Sequence, residues 1–243
     1  MIPRFKNIVL IIISFVILTL PLFGIELESI NLDLTGSQGF NSEQSLNSIS
    51  GIGFAVTVEG KLTKKLYLNL TSSHLYLGID QDNALENWDW AYWEDIYGNT
   101  VDGLLQKDKY DVELEPVQKL SIKPYTIELK CVFNLSERLS FNSNLGFGVA
   151  WYKRELWLKE NWQKYFATID YTYQYNYRNN ARPRRNGFAY LTRGKLGVNY
   201  RLSEYLKLFM EAGGYYYLKN INNPEYLPLD HSLDLSFGIK LLY

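Results

Sequence analysis

The residues that could carry out chemistry in this chain are few, because only two histidines occur among its 243 residues. His231 adjoins Ser232 and follows Asp230, while His74 follows Ser73. Serine, histidine and an acid together are the groups of nucleophilic hydrolysis. Both pairs lie in sequence that alternates like a β-strand, and neighbours on a strand point to opposite faces. We therefore expect no catalytic centre, and a lipid-modifying or proteolytic enzyme is the remote alternative.

Metal, cofactor and nucleic-acid sites are also not expected. The single cysteine, Cys131, excludes an intramolecular disulfide framework and a cysteine zinc cluster. Asp80 and Asp82 lack the glycine and the later glutamate of a calcium loop. A formal net charge of −1 lacks the basic excess of nucleic-acid-binding proteins. The chain is thus predicted to have no cofactor, no metal and no nucleic-acid partner.

The amino-terminal segment, residues 1–24, has the layout of a secretory signal peptide. Arg4 and Lys6 precede an apolar stretch from Ile8 to Leu20, and the small residue Gly24 suits a cleavage site. A retained membrane anchor is the alternative. A mean hydropathy of −0.21 over the whole chain excludes a bundle of membrane helices.

A repeated pattern in the rest of the chain predicts hairpin turns. In order, the pattern consists of a polar residue, a Leu, a Ser or Thr, two variable residues, a second Leu, one variable residue, and a final Leu or Phe. It occurs at 60–68, 133–141 and 200–208. A Ser or Thr hydroxyl in this position is able to bond to the local backbone and so favours a tight turn. Because strand-like sequence flanks every copy, each copy predicts an antiparallel hairpin.

The flanking sequence alternates between apolar and polar residues, as strands do. From Leu139 to Tyr152, apolar residues alternate with Gly, Ser and Asn. Three hairpins, a first strand and a last strand give eight strands. The long connections between them are predicted near 35–49, 80–119, 153–187 and 219–231. A tyrosine ladder at 171–177 is interpreted as a strand that continues beyond the others.

The last strand carries a second signature, apolar residues at every second position before a terminal aromatic residue. Its defining residues are Phe237, Ile239, Leu241 and Tyr243. This resembles the C-terminal signal of bacterial outer-membrane β-barrels. Over residues 25–243 the chain resembles the small barrels of the OmpA-transmembrane, OmpX, OmpW and opacity-protein type. The resemblance implies an all-β, closed, up-and-down antiparallel transmembrane barrel of eight strands in the cell outer membrane. It also implies assembly by the barrel-assembly machinery, and no peptidoglycan-binding domain is expected after Tyr243.

Two other architectures are compatible with alternating strands. A soluble β-sandwich or lipocalin-like barrel would turn its apolar faces inward, but here the other faces are rich in Gly, Ser, Asn and charges. Aromatic residues also gather near strand ends, where the interfacial girdles of a membrane barrel lie. A ten-stranded barrel would need another hairpin within 80–119, where the turn pattern does not recur.

The faces predicted to point into the barrel carry a set of charges that must neutralise one another in so narrow a lumen. They are Glu128, Lys130, Arg193, Lys195, Glu211, Asp234 and Lys240. The sixth and seventh strands form one hairpin, which is predicted to place either Lys195 or Arg193 opposite Glu211. One interpretation is a salt-bridged plug that blocks flow. The other is a gated path for small solutes in which Glu211 exchanges partners.

Two long connections have opposite charge. The segment from Asp80 to Gln118 contains 11 acidic residues and two lysines, whereas 153–187 contains eight basic and three acidic residues. The two either pair over the barrel mouth or bind ligands, with aromatic rings stacking on sugars or cations and arginines holding phosphates or acidic polymers. The candidate binding residues are Trp88, Trp90, Trp93, Arg182, Arg184 and Arg185.

These features predict a non-enzymatic barrel whose long charged and aromatic loops serve surface interaction or envelope integrity. The alternative is a small-solute channel of the OmpW type, with a lateral opening lined by Leu75, Leu77 and Phe209. The expected partners are outer-membrane lipid, a lipopolysaccharide-like surface and a host or surface ligand.

Overall fold

The computed structural model describes residues 25–41, 49–79, 110–179, 185–218 and 227–243, together with positions 99 and 103. These residues form nine antiparallel strands. The strands are β1 (Glu26–Phe40), β2 (Ile49–Lys61), β3 (Leu66–Ile79), β4 (Asp111–Asn134), β5 (Leu139–Phe166), β6 (Tyr171–Asn179), β7 (Arg185–Arg201), β8 (Leu206–Leu218) and β9 (His231–Leu242). Within the described ranges, no α-helix is long and apolar enough to cross a membrane. The predicted signal peptide lies outside the described residues.

Eight of the strands close into a ring. Strands β1 to β5 pair in chain order, and β5 then pairs with β7, β7 with β8, β8 with β9, and β9 with β1. Among the described strands, β6 pairs only with the outer part of β5. The predicted all-β, closed, eight-stranded antiparallel barrel is therefore confirmed, and β6 is an addition outside the ring.

The repeated sequence pattern forms three turns with the same hydrogen bonds. In the first turn the backbone N–H groups of Leu62 and Thr63 both donate to the carbonyl of Leu66, and the other two turns repeat this arrangement. The hydroxyl oxygen of Thr63 accepts from the N–H of Leu66 at 3.1 Å, and Ser136 accepts from Leu139 at the same distance. The side chain that the sequence singles out thus closes the turn, as the pattern predicts.

The outer wall of the barrel is apolar, whereas much of its inner wall is polar. Leu145 and Phe147 on the outer wall are 72% and 66% exposed, whereas Asn142 and Ser236 on the inner wall are almost completely buried. A soluble sandwich buries its apolar faces between two sheets, so that alternative is wrong. A closed ring with an apolar outer wall and a polar interior is the arrangement of a transmembrane barrel, in which no strand edge meets lipid.

Aromatic side chains, all of them exposed except the half-buried Trp151, mark two levels on the outer wall. The level beside the short turns consists of Phe133, Tyr200, Tyr205 and Tyr243, and the level at the other end consists of Tyr76, Trp151, Phe188, Tyr190 and Tyr216. On β5, Phe141 lies near the first level and Trp151 on the second, ten residues apart. About 9–11 residues of tilted strand span a bilayer. The wall between the two aromatic levels therefore has the height of a membrane.

The strands continue beyond the outer aromatic level, which corrects the predicted connections. The pairing of β4 with β5 extends to Asp111 and Gln163, so 111–119 and 153–166 are strand and not loop. Strand β1 similarly continues to Phe40, inside the predicted connection at 35–49. The apolar outward residues that mark a membrane-crossing strand end at the aromatic level, whereas backbone pairing between two long strands continues into water. The remaining parts of these connections, 42–48, 180–184, 219–226 and most of 80–109, lie outside the described residues.

Candidate functional site

The inward charges form two clusters, and the cluster nearer the short turns is centred on Glu59. Its two carboxylate oxygens contact Lys130 Nζ at 2.9 Å and Lys240 Nζ at 2.7 Å, and all three side chains are at most 4% exposed. The three residues lie on β2, β4 and β9, so the cluster ties together strands that are not neighbours in the ring. Glu59 is not among the charges predicted to face the lumen. It lies on the same face of β2 as the inward residues Ala55 and Thr57, and that periodicity was the available signal.

The second cluster lies farther out in the lumen. Glu128 contacts Arg193 at 3.0 Å and Lys195 at 3.3 Å, and Lys195 contacts Glu211 at 2.8 Å. The Arg193 guanidinium also lies 4.5 Å from the centre of the Tyr215 ring. Each buried carboxylate in this cluster therefore has a cation beside it, which offsets part of the cost of removing both charges from water.

The pairing of β7 with β8 differs from both predicted registers. Glu211 lies opposite Gly197, and Lys195 lies opposite Gly213, so neither cation stands directly across from Glu211. The salt bridge between Lys195 and Glu211 forms on the diagonal. Both glycines make this possible: a Cβ added to Gly197 would lie 2.5 Å from Cγ of Glu211, and one added to Gly213 would lie 2.7 Å from Cγ of Lys195.

The same pairing of a glycine with a long inward side chain on the neighbouring strand recurs in the barrel. Gly146 lies opposite Glu128, and Gly238 lies opposite Phe209. An added Cβ would lie 2.6 Å from Cγ of Glu128 at the first position and 2.7 Å from Cζ of Phe209 at the second. An eight-stranded barrel has room for little more than its own side chains. The inward glycines supply the space that the charged and aromatic groups fill.

Asp234 is held in a different way from the other inward charges. Its Oδ1 accepts hydrogen bonds from the hydroxyls of Ser37 at 2.6 Å and Ser232 at 3.2 Å. Within the described part of the chain, no lysine or arginine lies within salt-bridge distance of Asp234. The structure thus brings six of the seven predicted lumen charges into the two ion-paired clusters and leaves Asp234 among hydroxyl groups.

The outer part of the lumen is closed by an apolar core. Its buried members come from most of the ring: Ile49, Leu75, Leu77, Ile79, Leu120, Ile122, Ala150, Tyr152, Ala189, Leu191, Tyr215, Tyr217, Leu227 and Leu229. The segment before β9 enters the mouth and is fixed by backbone hydrogen bonds, from Asp230 N–H to Phe40 at 2.9 Å and from Tyr217 N–H to Asp230 at 2.8 Å. Leu75 and Leu77 belong to this core, while Phe209 packs elsewhere beside Gly238. The three residues therefore do not line one lateral opening.

The two candidate catalytic pairs are separated by the barrel wall. Ser73 points inward toward the Tyr215 hydroxyl at 3.3 Å, whereas His74 bonds to Ser121 through Nε2 at 2.8 Å on the outer wall. His231 stacks on a phenylalanine ring outside the barrel, and Ser232 bonds to Asp234 inside it. Within the described ranges, no group of three or more His, Cys, Asp and Glu side chains is placed to hold a metal.

Beyond the outer aromatic level, β4, β5 and β6 form a three-stranded extension. Strand β5 continues 15 residues past Trp151 to Phe166, which is about 50 Å of strand at ~3.3 Å per residue. Alternate positions of β6 carry four tyrosines that we call the tyrosine ribbon, Tyr171, Tyr173, Tyr175 and Tyr177, each between 39% and 55% exposed. The predicted strand at 171–177 is thus present, and it presents an aromatic row outside the membrane wall.

Contacts within the extension hold this row in place. Tyr175 stacks on Trp162 with ring centres 6.0 Å apart, and its own ring lies 5.8 Å from that of Tyr173. Partial burial, with the neighbouring Tyr110, raises the pKa of Tyr175. Lys164 Nζ lies 4.4 Å from the Tyr110 ring centre. The rings are therefore supported from one side and open to solvent on the other.

The base of the extension contains a buried arginine. Both Nε and Nη2 of Arg154 donate to the Gln118 side-chain oxygen, at 3.1 and 2.6 Å. Burial, with a smaller contribution from Arg185, lowers the pKa of Arg154 to about 9. Of the predicted binding residues, Arg185 lies at the start of β7 opposite Arg154. The others, Trp88, Trp90, Trp93, Arg182 and Arg184, lie outside the described residues.

The residues of the predicted assembly signal lie on the outer wall of β9. Phe237, Ile239, Leu241 and Tyr243 are all exposed, and the backbone N–H of Tyr243 donates to the carbonyl of Glu28 at 3.0 Å. Their role in assembly stays a prediction.

No family model matches the chain, and no curated protein matches it in sequence. Solved structures are similar to it in fold. Neisserial surface protein A is 9% identical, with 89% of this chain and 97% of that chain covered and a TM-score of 0.48. The attachment invasion locus protein Ail of Yersinia pestis is 12% identical, with 90% and 99% covered and a TM-score of 0.42. A major outer membrane protein from Thermus thermophilus is 11% identical, with 88% and 99% covered and a TM-score of 0.44.

Proposed function

We propose that this chain is a non-enzymatic bacterial outer-membrane β-barrel that presents its three-stranded extension for binding at the cell surface. The tyrosine ribbon is the observation that carries the proposal. Soluble surfaces rarely expose a continuous row of large aromatic side chains without a partner. Here the row lies well beyond the aromatic level that marks the edge of the bilayer, so lipid does not cover it.

The interior supports a role for the extension in preference to the lumen. Two ion-paired clusters fill the inner part of the barrel, and an apolar core fills its outer part. A barrel closed in this way is a rigid anchor. The surface that remains for a ligand is the one that the extension and the long connections present beyond this anchor.

The tyrosine side chains suit ligands with flat apolar faces, such as sugar rings. A direct test uses cells that carry the full chain and beads coated with a neutral β-linked glucan. Tyr173→Ser/Tyr175→Ser should lower bead binding at least tenfold. The matched control, Gln174→Ser/Asn176→Ser, alters the opposite face of the same strand and should leave binding unchanged. Equal binding by wild type and both variants, with equal amounts of folded barrel, would contradict the proposed role of the ribbon.

The acidic, tryptophan-rich connection offers a second binding surface. Deleting residues 85–100 should preserve the barrel, because the deletion lies outside the ring strands. If the ribbon acts alone, bead binding survives this deletion. If binding is lost while Tyr173→Ser/Tyr175→Ser retains it, the connection and not the ribbon is the binding surface.

A small-solute channel of the OmpW type is the second candidate. One observation favours it, an interruption in the pairing of the wall strands, which is where a lateral opening would form. The β3–β4 pairing is interrupted between Ser72 and Leu75, opposite Lys123 and Pro124, because proline has no N–H to donate. The purified protein in planar bilayers tests this candidate. Steady ion-selective openings that Glu211→Ala alters would establish a conducting lumen and overturn the closed-anchor proposal.

A further inference from the structure

The outer wall of β4 changes character where it reaches the outer aromatic level. From the short-turn end its outward residues are apolar or aromatic up to Tyr125, and the next three outward positions are Lys123, Ser121 and Lys119. We call these three residues the basic rim. At the outer ends of the other ring strands except β5, the outward residues include no Lys, Arg, Asp or Glu; they are Gln38, Ser50, Gly78, Phe188, Leu218 and His231. Among the described residues of the outer wall, positive charge at this level therefore lies on the side of β4 and β5.

Neither lysine of the basic rim lies within salt-bridge distance of a carboxylate in the described part of the chain; Glu155, opposite Lys119 on β5, contacts Lys153. Lys153 and Lys159 on the neighbouring strand are each neutralised by a glutamate at 2.7 Å. Lys123, by contrast, is partly buried against the wall and lies over the Trp151 ring at 5.3 Å from its centre. The face of the indole attracts the ammonium group, whose N–H donors are directed away from the ring and available to an anion.

The hydroxyl between the two lysines is also fixed in position. Ser121 Oγ lies 2.8 Å from His74 Nε2. The imidazole is held by Tyr76, whose ring centre is 4.1 Å away, and by Phe54 at 5.7 Å. Two ammonium groups and one oriented hydroxyl therefore share a short row at the boundary between lipid and water.

We propose that the basic rim binds the phosphate of an outer-leaflet lipid headgroup. Cationic side chains beside an anionic membrane surface gain affinity by direct attraction to lipid phosphate. The position of the row selects this source of phosphate, because it faces outward at the aromatic level where headgroups lie. The inference rests on the proposed placement of the barrel in the outer membrane. It is independent of the tyrosine ribbon.

The test uses the full chain, folded in detergent, with native mass spectrometry to count bound lipid. The probes are lipid A carrying its phosphates and the same lipid after enzymatic removal of the phosphates. Lys119→Gln/Lys123→Gln should lower binding of the phosphorylated lipid about 25-fold, from about fivefold for each lysine near an anionic surface. Binding of the dephosphorylated lipid should not change. Lys64→Gln/Lys65→Gln at the first short turn removes the same charge at the other end and should have no effect.

Three results would overturn the inference. The first is an equal loss of lipid binding in the rim double variant and in the short-turn double variant. The second is equal binding of the phosphorylated and dephosphorylated lipids by the wild type. The third is complete displacement of lipid by excess inorganic phosphate, which would indicate a site for the free anion. Lys119→Glu at the most exposed position gives a second variant, and heat-modifiable migration on gels verifies folding in each case. Protease protection of the strands in lipid vesicles tests membrane insertion separately. An inserted barrel that ignores lipid phosphate would contradict this inference alone.

Discussion

Replacing Glu59 by glutamine removes the charge on which the inner lumen cluster depends. Lys130 and Lys240 contact the two oxygens of this carboxylate at 2.9 and 2.7 Å, and both lysines are almost completely buried. At an effective dielectric constant of about 20, each contact contributes about 6 kcal/mol of Coulomb attraction. Most of this offsets the cost of taking three charges out of water.

The loss on mutation is set by the charges that remain. Removing one partner of a buried pair costs about 3–5 kcal/mol, because the other charge stays buried and uncompensated. Glu59→Gln leaves two such cations, so we expect the free energy of unfolding to fall by about 3–5 kcal/mol or more. Urea unfolding from lipid vesicles, followed by tryptophan fluorescence and extrapolated to zero denaturant, measures this change.

A matched variant separates charge from packing. In Glu59→Gln/Lys130→Met/Lys240→Met all three charges are removed together, and neutral replacements of similar volume are often no less stable than a buried ion pair. This triple variant should therefore recover most of the lost stability. If Glu59→Gln costs less than about 1 kcal/mol, or the triple variant is less stable than the single one, the cluster does not hold its strands as argued.

Three further outcomes follow from packing and exposure. Gly146→Ala should lower the free energy of unfolding by about 1–3 kcal/mol, because the new Cβ would lie 2.6 Å from Cγ of Glu128. The control Gly194→Ala has open space around the new Cβ and should change the free energy of unfolding by less than about 0.5 kcal/mol. Equal effects in urea unfolding would refute the packing argument. Leu229→Ala, in the buried mouth segment, should cost about 2–5 kcal/mol in the same assay, and a negligible loss would show that the apolar core does not depend on that segment. Tyr243→Ser should lower several-fold the amount of heat-modifiable barrel recovered from outer membranes. Tyr205 is similarly exposed, and Tyr205→Ser should leave that amount unchanged. Equal amounts from the two variants would contradict the predicted assembly signal.

The ring could be predicted from sequence because its determinants are local and periodic. The turn hydroxyls of Thr63 and Ser136 bond to the backbone within three residues, so a short pattern contains the whole interaction. Alternation fixes which residues face inward, because a strand has a period of two. The same rule identified six of the seven charges that are needed for the two lumen clusters.

What the sequence did not specify depends on relations between strands. The register that places Gly197 and not Lys195 opposite Glu211 is set by how the hairpin closes. A shift of two residues leaves the same side chains facing inward and outward, so the alternation of the sequence does not distinguish these registers. The partnership of Glu59 with Lys240 joins residues 181 positions apart, beyond the reach of any local pattern. The apolar core was hidden for another reason, because three of its members, Ile49, Leu227 and Leu229, lie within predicted connections, and Ile49 is the first residue of strand β2 in the structure.

In a transmembrane barrel the apolar outer wall faces lipid and the inner wall faces the lumen. Spin labels at single cysteines in a Cys131→Ser background test it on β9, with the full chain in lipid vesicles. Labels at Leu235→Cys and Phe237→Cys should collide readily with dissolved oxygen and poorly with a water-soluble nickel complex. A label at Ser236→Cys between them should show low oxygen accessibility and restricted motion. Strong nickel collisions at both outward positions would place that wall in water and contradict the transmembrane barrel.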